Sequence, residues 1–220
     1  MTSLIFDFDG LILDTETPDV LAWQEIYAEH NVAFPVASWG QIIGGAGASQ
    51  FDAAIHLQEL VGQPLDLHAL HTRQHRLNCS LIEHQPVLPG IVDYLDSARL
   101  LNLKLAVASS SPHSWVDTHL SRLGLAGRFD KIICADDVPA GRTKPQPDLF
   151  LLALDQLEVP KDAVIVFEDS PNGVKAARAA GIFVVAVPNP TTSLLAFEGE
   201  NIRLSSLSDL PLNALLKNAS

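Results

Sequence analysis

Cysteine is nearly absent from this chain. The two present, Cys79 and Cys134, stand far apart and form neither a CxxC pair nor a zinc-ligand spacing. They read as reduced, packed thiols, which excludes a disulfide scaffold. No uninterrupted apolar run is long enough to span a bilayer. No basic segment leads into an apolar stretch at the start, because Asp7 and Asp9 interrupt it at once. The expectation is a soluble, cytoplasmic protein with no membrane partner. Positive charge is also scarce: 14 Lys and Arg against 26 Asp and Glu leave a net charge of −12. Such a chain repels phosphate backbones, which argues against nucleic acid as a general partner. A small phosphorylated metabolite remains admissible, since a bound cation and a few local basic groups reverse the field within a pocket. Internal repeats and low-complexity segments are absent as well.

Short apolar runs alternate with helical patterns through the remainder. Strands are predicted at Ser3–Phe8, Leu105–Ala108, Lys131–Cys134, Ala163–Phe167 and Phe183–Val187, with a short edge strand near Ile202–Leu204. Helical spacing marks Ile91–Leu101, His113–Leu123, Asp148–Leu157 and Asn172–Ala180, with a further helix at the C-terminus. Strand and helix in repetition specify an α/β fold built on a doubly wound parallel sheet. Residues 16–84 break the alternation. They read as helices over Asp19–His30, Gln50–Val61 and Asp66–Glu83, with Gly44, Gly45 and Gly47 as a flexible break. This block is expected to be an inserted all-helical cap domain on a core of residues 1–15 and 85–220, with Pro18, Pro86 and Pro89 near the boundaries. No long interaction stripe appears, so a monomer is expected.

Open parallel sheets bind ligands beyond the carboxyl ends of their strands. Here those ends carry Asp7 and Asp9, then Ser109, Ser110 and Ser111, then Glu168 and Asp169, while Lys144 precedes a helix. In a strictly extended strand Asp7 and Asp9 share a face. Four carboxylates in one crevice repel one another unless a cation sits among them. Oxygen donors without histidine favour a hard ion such as Mg2+.

The segments Asp7-Phe8-Asp9-Gly10-Leu11-Ile12-Leu13-Asp14-Thr15-Glu16, Ala108-Ser109-Ser110-Ser111, Lys144-Pro145-Gln146-Pro147-Asp148 and Phe167-Glu168-Asp169-Ser170-Pro171-Asn172-Gly173 resemble, in order, the four motifs of the haloacid dehalogenase-like hydrolases. The resemblance covers essentially the whole chain, and the helical insert is similar to the cap of the subgroup holding β-phosphoglucomutase and many sugar-phosphate phosphatases. It implies a HAD-like Rossmannoid core and a Mg2+-dependent phosphatase acting on a small phosphate monoester, such as a sugar or polyol phosphate, through an aspartyl-phosphate. It implies that Asp7 is the nucleophile and Asp9 the acid and base. Ser109 and the Ser110 N–H bind the phosphoryl group, and Lys144 neutralises charge. Asp7, the Asp9 carbonyl, Asp169 and Glu168 (directly or through a water) hold the metal. A second acid at Asp9 distinguishes phosphoryl transfer from dehalogenation, whose halide leaving group needs no proton.

The alternative within the subgroup is a β-phosphoglucomutase-like phosphomutase. Its linker histidine is matched here by Asp19, and its cap arginine is missing from Gly44-Gly45-Ala46-Gly47-Ala48-Ser49-Gln50. A carbon–phosphorus hydrolase would need a cap lysine, and residues 16–84 contain none. A non-catalytic phospho-ligand binder would have lost Asp7, Lys144 or Asp169. Of the remaining cap residues, His56, His68, His71, His75 and His84 read as surface histidines, and Arg73 and Arg76 as groups within reach of a substrate. The sequence does not orient Arg73 or Arg76 toward a substrate, and Trp23, Trp39 and Trp115 read as packing residues.

Overall fold

The computed structural model describes residues 1–39 and 51–219. The glycine-rich break and the segment compared with the mutase arginine lie outside these residues.

Six strands form one parallel sheet: β1 (Ser3–Phe6), β2 (Lys104–Ala108), β3 (Lys131–Ile133), β4 (Val164–Glu168), β5 (Phe183–Ala186) and β6 (Ile202–Arg203). Their spatial order is β3-β2-β1-β4-β5-β6, so the chain runs outward to one edge and then restarts beside β1. Phe6 pairs with Val107 on one side and Phe167 on the other, which brings the carboxyl ends of β1, β2 and β4 level.

Alternation along the strands assigns the two faces. Leu4, Phe6, Leu105, Val107, Ile165 and Phe167 are buried with α5 (Ile91–Leu100), α6 (His113–Arg122) and α9 (Leu212–Asn218). Ile5, Ala106, Ala108, Val164 and Val166 are buried with α7 (Asp148–Leu157) and α8 (Pro171–Ala179). Helices thus cover both faces, as a doubly wound sheet requires.

Between β1 and α5 lie α1 (Glu16–Glu29), α2 (Val36–Trp39), α3 (Ala53–Val61) and α4 (Leu67–Ile82). Local chemistry fixes their ends. The Asp52 and Asp66 side chains cap α3 and α4, and Gly62 closes α3 in the left-handed conformation. The block has an interior of its own, in which Val20, Trp23, Ile26, Tyr27, Phe34 and Leu57 are buried together. Ile82, at the last turn of α4, is instead buried with the sheet.

The structure corrects two boundaries and adds one helix. β1 ends at Phe6, two residues before the expected Phe8, because the chain turns through Phe8–Gly10 and the Ile12 N–H closes on the Phe8 carbonyl at 2.9 Å. α1 begins at Glu16 and not at Asp19; Pro18 sits inside its first turn, where a missing N–H costs nothing, and does not mark a break. The four-residue α2 was not expected; a single turn is too short to show helical periodicity.

Candidate active site

The end of β1 delivers Asp7 into the sheet crevice. The residue is 5 % exposed, and its Oδ1 takes a close hydrogen bond from Lys144 Nζ. The same ammonium meets Glu168 Oε1 at 2.6 Å and lies 5.2 Å from the Phe150 ring centroid. Burial works against the lysine's charge, but Asp7 and Glu168 outweigh it and hold its pKa above the ordinary value.

Glu168 closes β4 and rests over the start of α8. Ser170 Oγ donates to its Oε2 at 3.2 Å and in turn accepts the Gly173 N–H at 3.1 Å. This is why Ser-Pro-Asn-Gly follows the acids. Ser170 caps the helix, Pro171 opens it, and the helix N-terminus faces the carboxylate. A Cβ at residue 173 would lie 1.9 Å from the Glu168 carboxyl, so only glycine fits.

Asp169 is held from the opposite side. Asn189, in the loop after β5, donates to Asp169 Oδ2 at 2.8 Å and to the Gly10 carbonyl at 3.3 Å. Gly10 has φ +78, and a Cβ there would lie 2.3 Å from Asp169 Oδ2.

Oxygen atoms of Asp7, Glu168 and Asp169 lie within 4.8 Å of one another, and all three residues are buried. Burial first, then Glu168, pushes Asp7 up to about 7, although Lys144 pulls the other way. Asp169 is raised well above the carboxylate range by burial and by its two neighbours. Three crowded carboxylates facing one lysine form a cradle whose charge a hard cation would balance, and its donors are all oxygen.

Asp9 lines the same cleft as Asp7, but from beyond the end of the strand and not from its continuation. The early turn swings its side chain toward β2. There Oδ2 accepts from Ser111 Oγ at 2.7 Å and Ser109 Oγ at 3.2 Å, and Oδ1 accepts from Trp115 Nε1 at 2.8 Å. Trp115 is therefore no mere packing residue. Its signal lay in the Ser-Ser-Ser-Pro run before it: Pro112 starts α6, so residue 115 falls in the first turn of a helix that opens at the strand ends. Trp23 and Trp39 do pack, both against Phe34.

Ser109 is fully buried at the end of β2 and does not cap α6; the Asp136 carboxylate accepts the His113 N–H there instead, at 2.7 Å. Ser110 Oγ is buried without a partner among the described residues. Ser110, Ser111, Trp115, Lys144, Asp7 and Asp9 line a cleft of about 320 Å³, closed on the helical side by Thr15, Glu16, Asp19 and Asn78. The sequence offered no reason to single out Asn78, Asn189 or the side chain of Glu16. The cap cations lie elsewhere: Arg73 pairs with Glu25 at 3.3 Å and with Glu29, and Arg76 is exposed outside the cleft lining. His71 meets Asp52 at 3.1 Å, and His56 meets the Tyr27 hydroxyl at 2.9 Å.

The sequence profile of the haloacid dehalogenase-like hydrolases matches residues 4–187. The chain belongs to the haloacid dehalogenase-like hydrolases. YhcW of Bacillus subtilis (strain 168) is 42 % identical to this hydrolase over 215 residues, covering 97 % of the present chain and 96 % of its own. Fructose-1-phosphate phosphatase YqaB of Escherichia coli (strain K12) is 34 % identical over 185 residues, covering 84 % and 95 %. The crystal structure of CbbY from Rhodobacter sphaeroides in complex with xylulose-1,5-bisphosphate superposes on the hydrolase with a TM-score of 0.73. It is 25 % identical and covers 98 % of this chain and 99 % of that one. Within the family, the hydrolase falls in the β-phosphoglucomutase-like subgroup. Among the described residues no helix is long and apolar enough to cross a membrane.

Proposed function

We propose that this hydrolase cleaves a small phosphate monoester, a sugar or polyol phosphate, with Asp7 as nucleophile and Mg2+ as cofactor. The enzyme is a phosphatase of its family. The observation that carries the reading is the buried Lys144 ammonium between Asp7 and Glu168, beside Asp169.

In this reading an Asp7 oxygen attacks phosphorus, the bond to the leaving oxygen breaks, and Asp9 supplies the proton that the leaving alkoxide takes up. Asp9 then removes a proton from water, which attacks the aspartyl-phosphate and returns Asp7 and inorganic phosphate. Lys144, Ser109 and the Ser110 N–H offset charge on the phosphoryl oxygens. Asp7, Glu168, Asp169 and the Asp9 carbonyl would hold Mg2+. When bound, the ion shields the anionic phosphate from the anionic nucleophile. Residues 16–84 act as a cap over the cleft and 1–15 with 85–220 as the core, in a cytoplasmic monomer.

Hydrolysis is favoured over phosphomutation because Lys144 is the only lysine or arginine lining the cleft among the described residues, and Asp7 and Glu168 occupy it. A bisphosphate intermediate would find no second cation. The test is p-nitrophenyl phosphate hydrolysis at neutral pH with Mg2+ and with EDTA, for the wild type and Asp7→Asn. Release that needs Mg2+ and vanishes in the variant supports the reading. Release that survives Asp7→Asn removes Asp7 as nucleophile.

A further inference from the structure

The helical wall of the cleft carries a carboxylate for which phosphoryl transfer has no use. Asp19 stands near the start of α1. Its Oδ1 accepts from the side-chain amide of Gln74 and from Asn78 Nδ2, the latter at 3.3 Å, both donors coming from α4. Its Oδ2 has no protein donor among the described residues, and Asp19 and Asn78 line the cleft together with Asp7, Ser110 and Lys144. Two amides thus fix one oxygen and leave the other as an oriented acceptor. An acceptor held in this way pairs with a hydroxyl and opposes an anion.

Nothing in the described lining reverses that preference. Lys144 is held by Asp7 and Glu168, and no other lysine or arginine stands in that lining. Arg73 is turned to Glu25 and Glu29. The stretch 40–50, outside the described residues, contains no lysine or arginine.

We propose that Asp19 determines specificity. Its Oδ2 accepts a hydrogen bond from a hydroxyl of the leaving alcohol, so the substrate is a monophosphate of a neutral polyhydroxy compound, and a second anionic group on the leaving side is rejected. The proposal rests on the phosphatase reading of the same site. A site that hydrogen-bonds a substrate hydroxyl discriminates far more sharply than an apolar pocket does, because its polar group is left unpaired by the wrong ligand.

The test compares kcat and KM of the wild type, Asp19→Asn and Gln74→Met at pH 8.5, above the Asp19 pKa of about 7, on p-nitrophenyl phosphate, a ketohexose 1-phosphate and the matching 1,6-bisphosphate, with folding checked by circular dichroism. The wild type is expected to prefer the monophosphate to the bisphosphate by about tenfold or more in kcat/KM. In Asp19→Asn the remaining oxygen stays with the two donating amides, so an NH2 replaces Oδ2. The monophosphate KM should rise by about tenfold relative to that of p-nitrophenyl phosphate, and rejection of the bisphosphate should weaken. Gln74→Met keeps the Asp19 side chain but loosens its orientation, so the monophosphate KM should rise. A wild type that takes both sugar phosphates equally well overturns the proposal. So does an Asp19→Asn variant whose three kcat/KM values fall by one common factor, as a packing role would give. Failure of the wild type to release phosphate from any of the three overturns the phosphatase reading, and the inference with it.

Discussion

The indole N–H of Trp115 and the carboxylate of Asp9 meet at 2.8 Å, and the other Asp9 oxygen is held by Ser111. The group assigned to proton transfer is therefore aimed by a side chain from α6. Trp115→Phe keeps the aromatic bulk and deletes the donor. A hydrogen bond to a charged group contributes about 1.5–3 kcal/mol. Turnover of alkyl phosphates should therefore drop about tenfold or more. The loss should be smaller with p-nitrophenyl phosphate, whose leaving group asks little of an acid. Equal losses on both substrates would remove Trp115 from this role.

Lys144→Met should abolish detectable phosphatase activity and also weaken the fold. It leaves Asp7 and Glu168 buried without their cation. Breaking a buried pair in this way costs about 3 kcal/mol. Urea denaturation in EDTA reads that loss directly, and an unchanged midpoint would show that the two carboxylates are accommodated without the lysine.

Mg2+ should raise the melting temperature of the wild type, because an ion bound only by the native cradle stabilises it by mass action. Asp169→Asn should lose most of that rise, since Asp169 supplies one of the cluster's three carboxylates. An equal rise in the variant would place the ion elsewhere.

Gly173→Ala should cost more than an ordinary helix substitution, although alanine favours helices. The added methyl would collide with the Glu168 carboxyl and displace it from Lys144. Overpacking of this kind costs about 1–3 kcal/mol. Activity should fall with it. A variant as stable and as active as the wild type would show that α8 can shift freely.

Burial raises Asp19 to about 7, against the pull of its Gln74 hydrogen bond. The folded chain therefore holds that proton more tightly than the unfolded chain, whose aspartates release it near pH 4. Stability in EDTA should accordingly fall as pH rises from about 4 to about 7 and level off above, by something on the order of 4 kcal/mol from this group. Asp7, also raised to about 7, adds to the same slope. Asp19→Asn should flatten the curve, and urea midpoints at pH 5 and pH 7.5 decide it.

The sheet was legible because strands buried on both faces leave unbroken apolar runs, and Val164–Glu168 lies within one residue of its expected start and end. Asp7, Glu168 and Asp169 were legible because each follows such a run, and Lys144 through its flanking prolines and the family motif; the fold brings the four together. The side chain of Asp9 was not. Which donors it meets depends on the strand ending two residues earlier than period-2 reasoning places it. Asn189 was equally hidden: it acts across 179 positions on the Gly10 carbonyl, a distance that only the sheet order closes. Asp19 stood out in sequence only as an unusual residue, since the two amides that orient it lie more than fifty positions away.

The aromatic interior of the helical block is separate from the two interiors that sandwich the sheet. On the proposed reading, reaction and recognition would therefore stand on different foundations. Mutational libraries confined to the inward faces of α1 and α4 should then retarget the enzyme while the crevice that breaks the ester is left as it was. Divergence among descendants of such a chain should accumulate first in that block, with new substrates acquired through old chemistry.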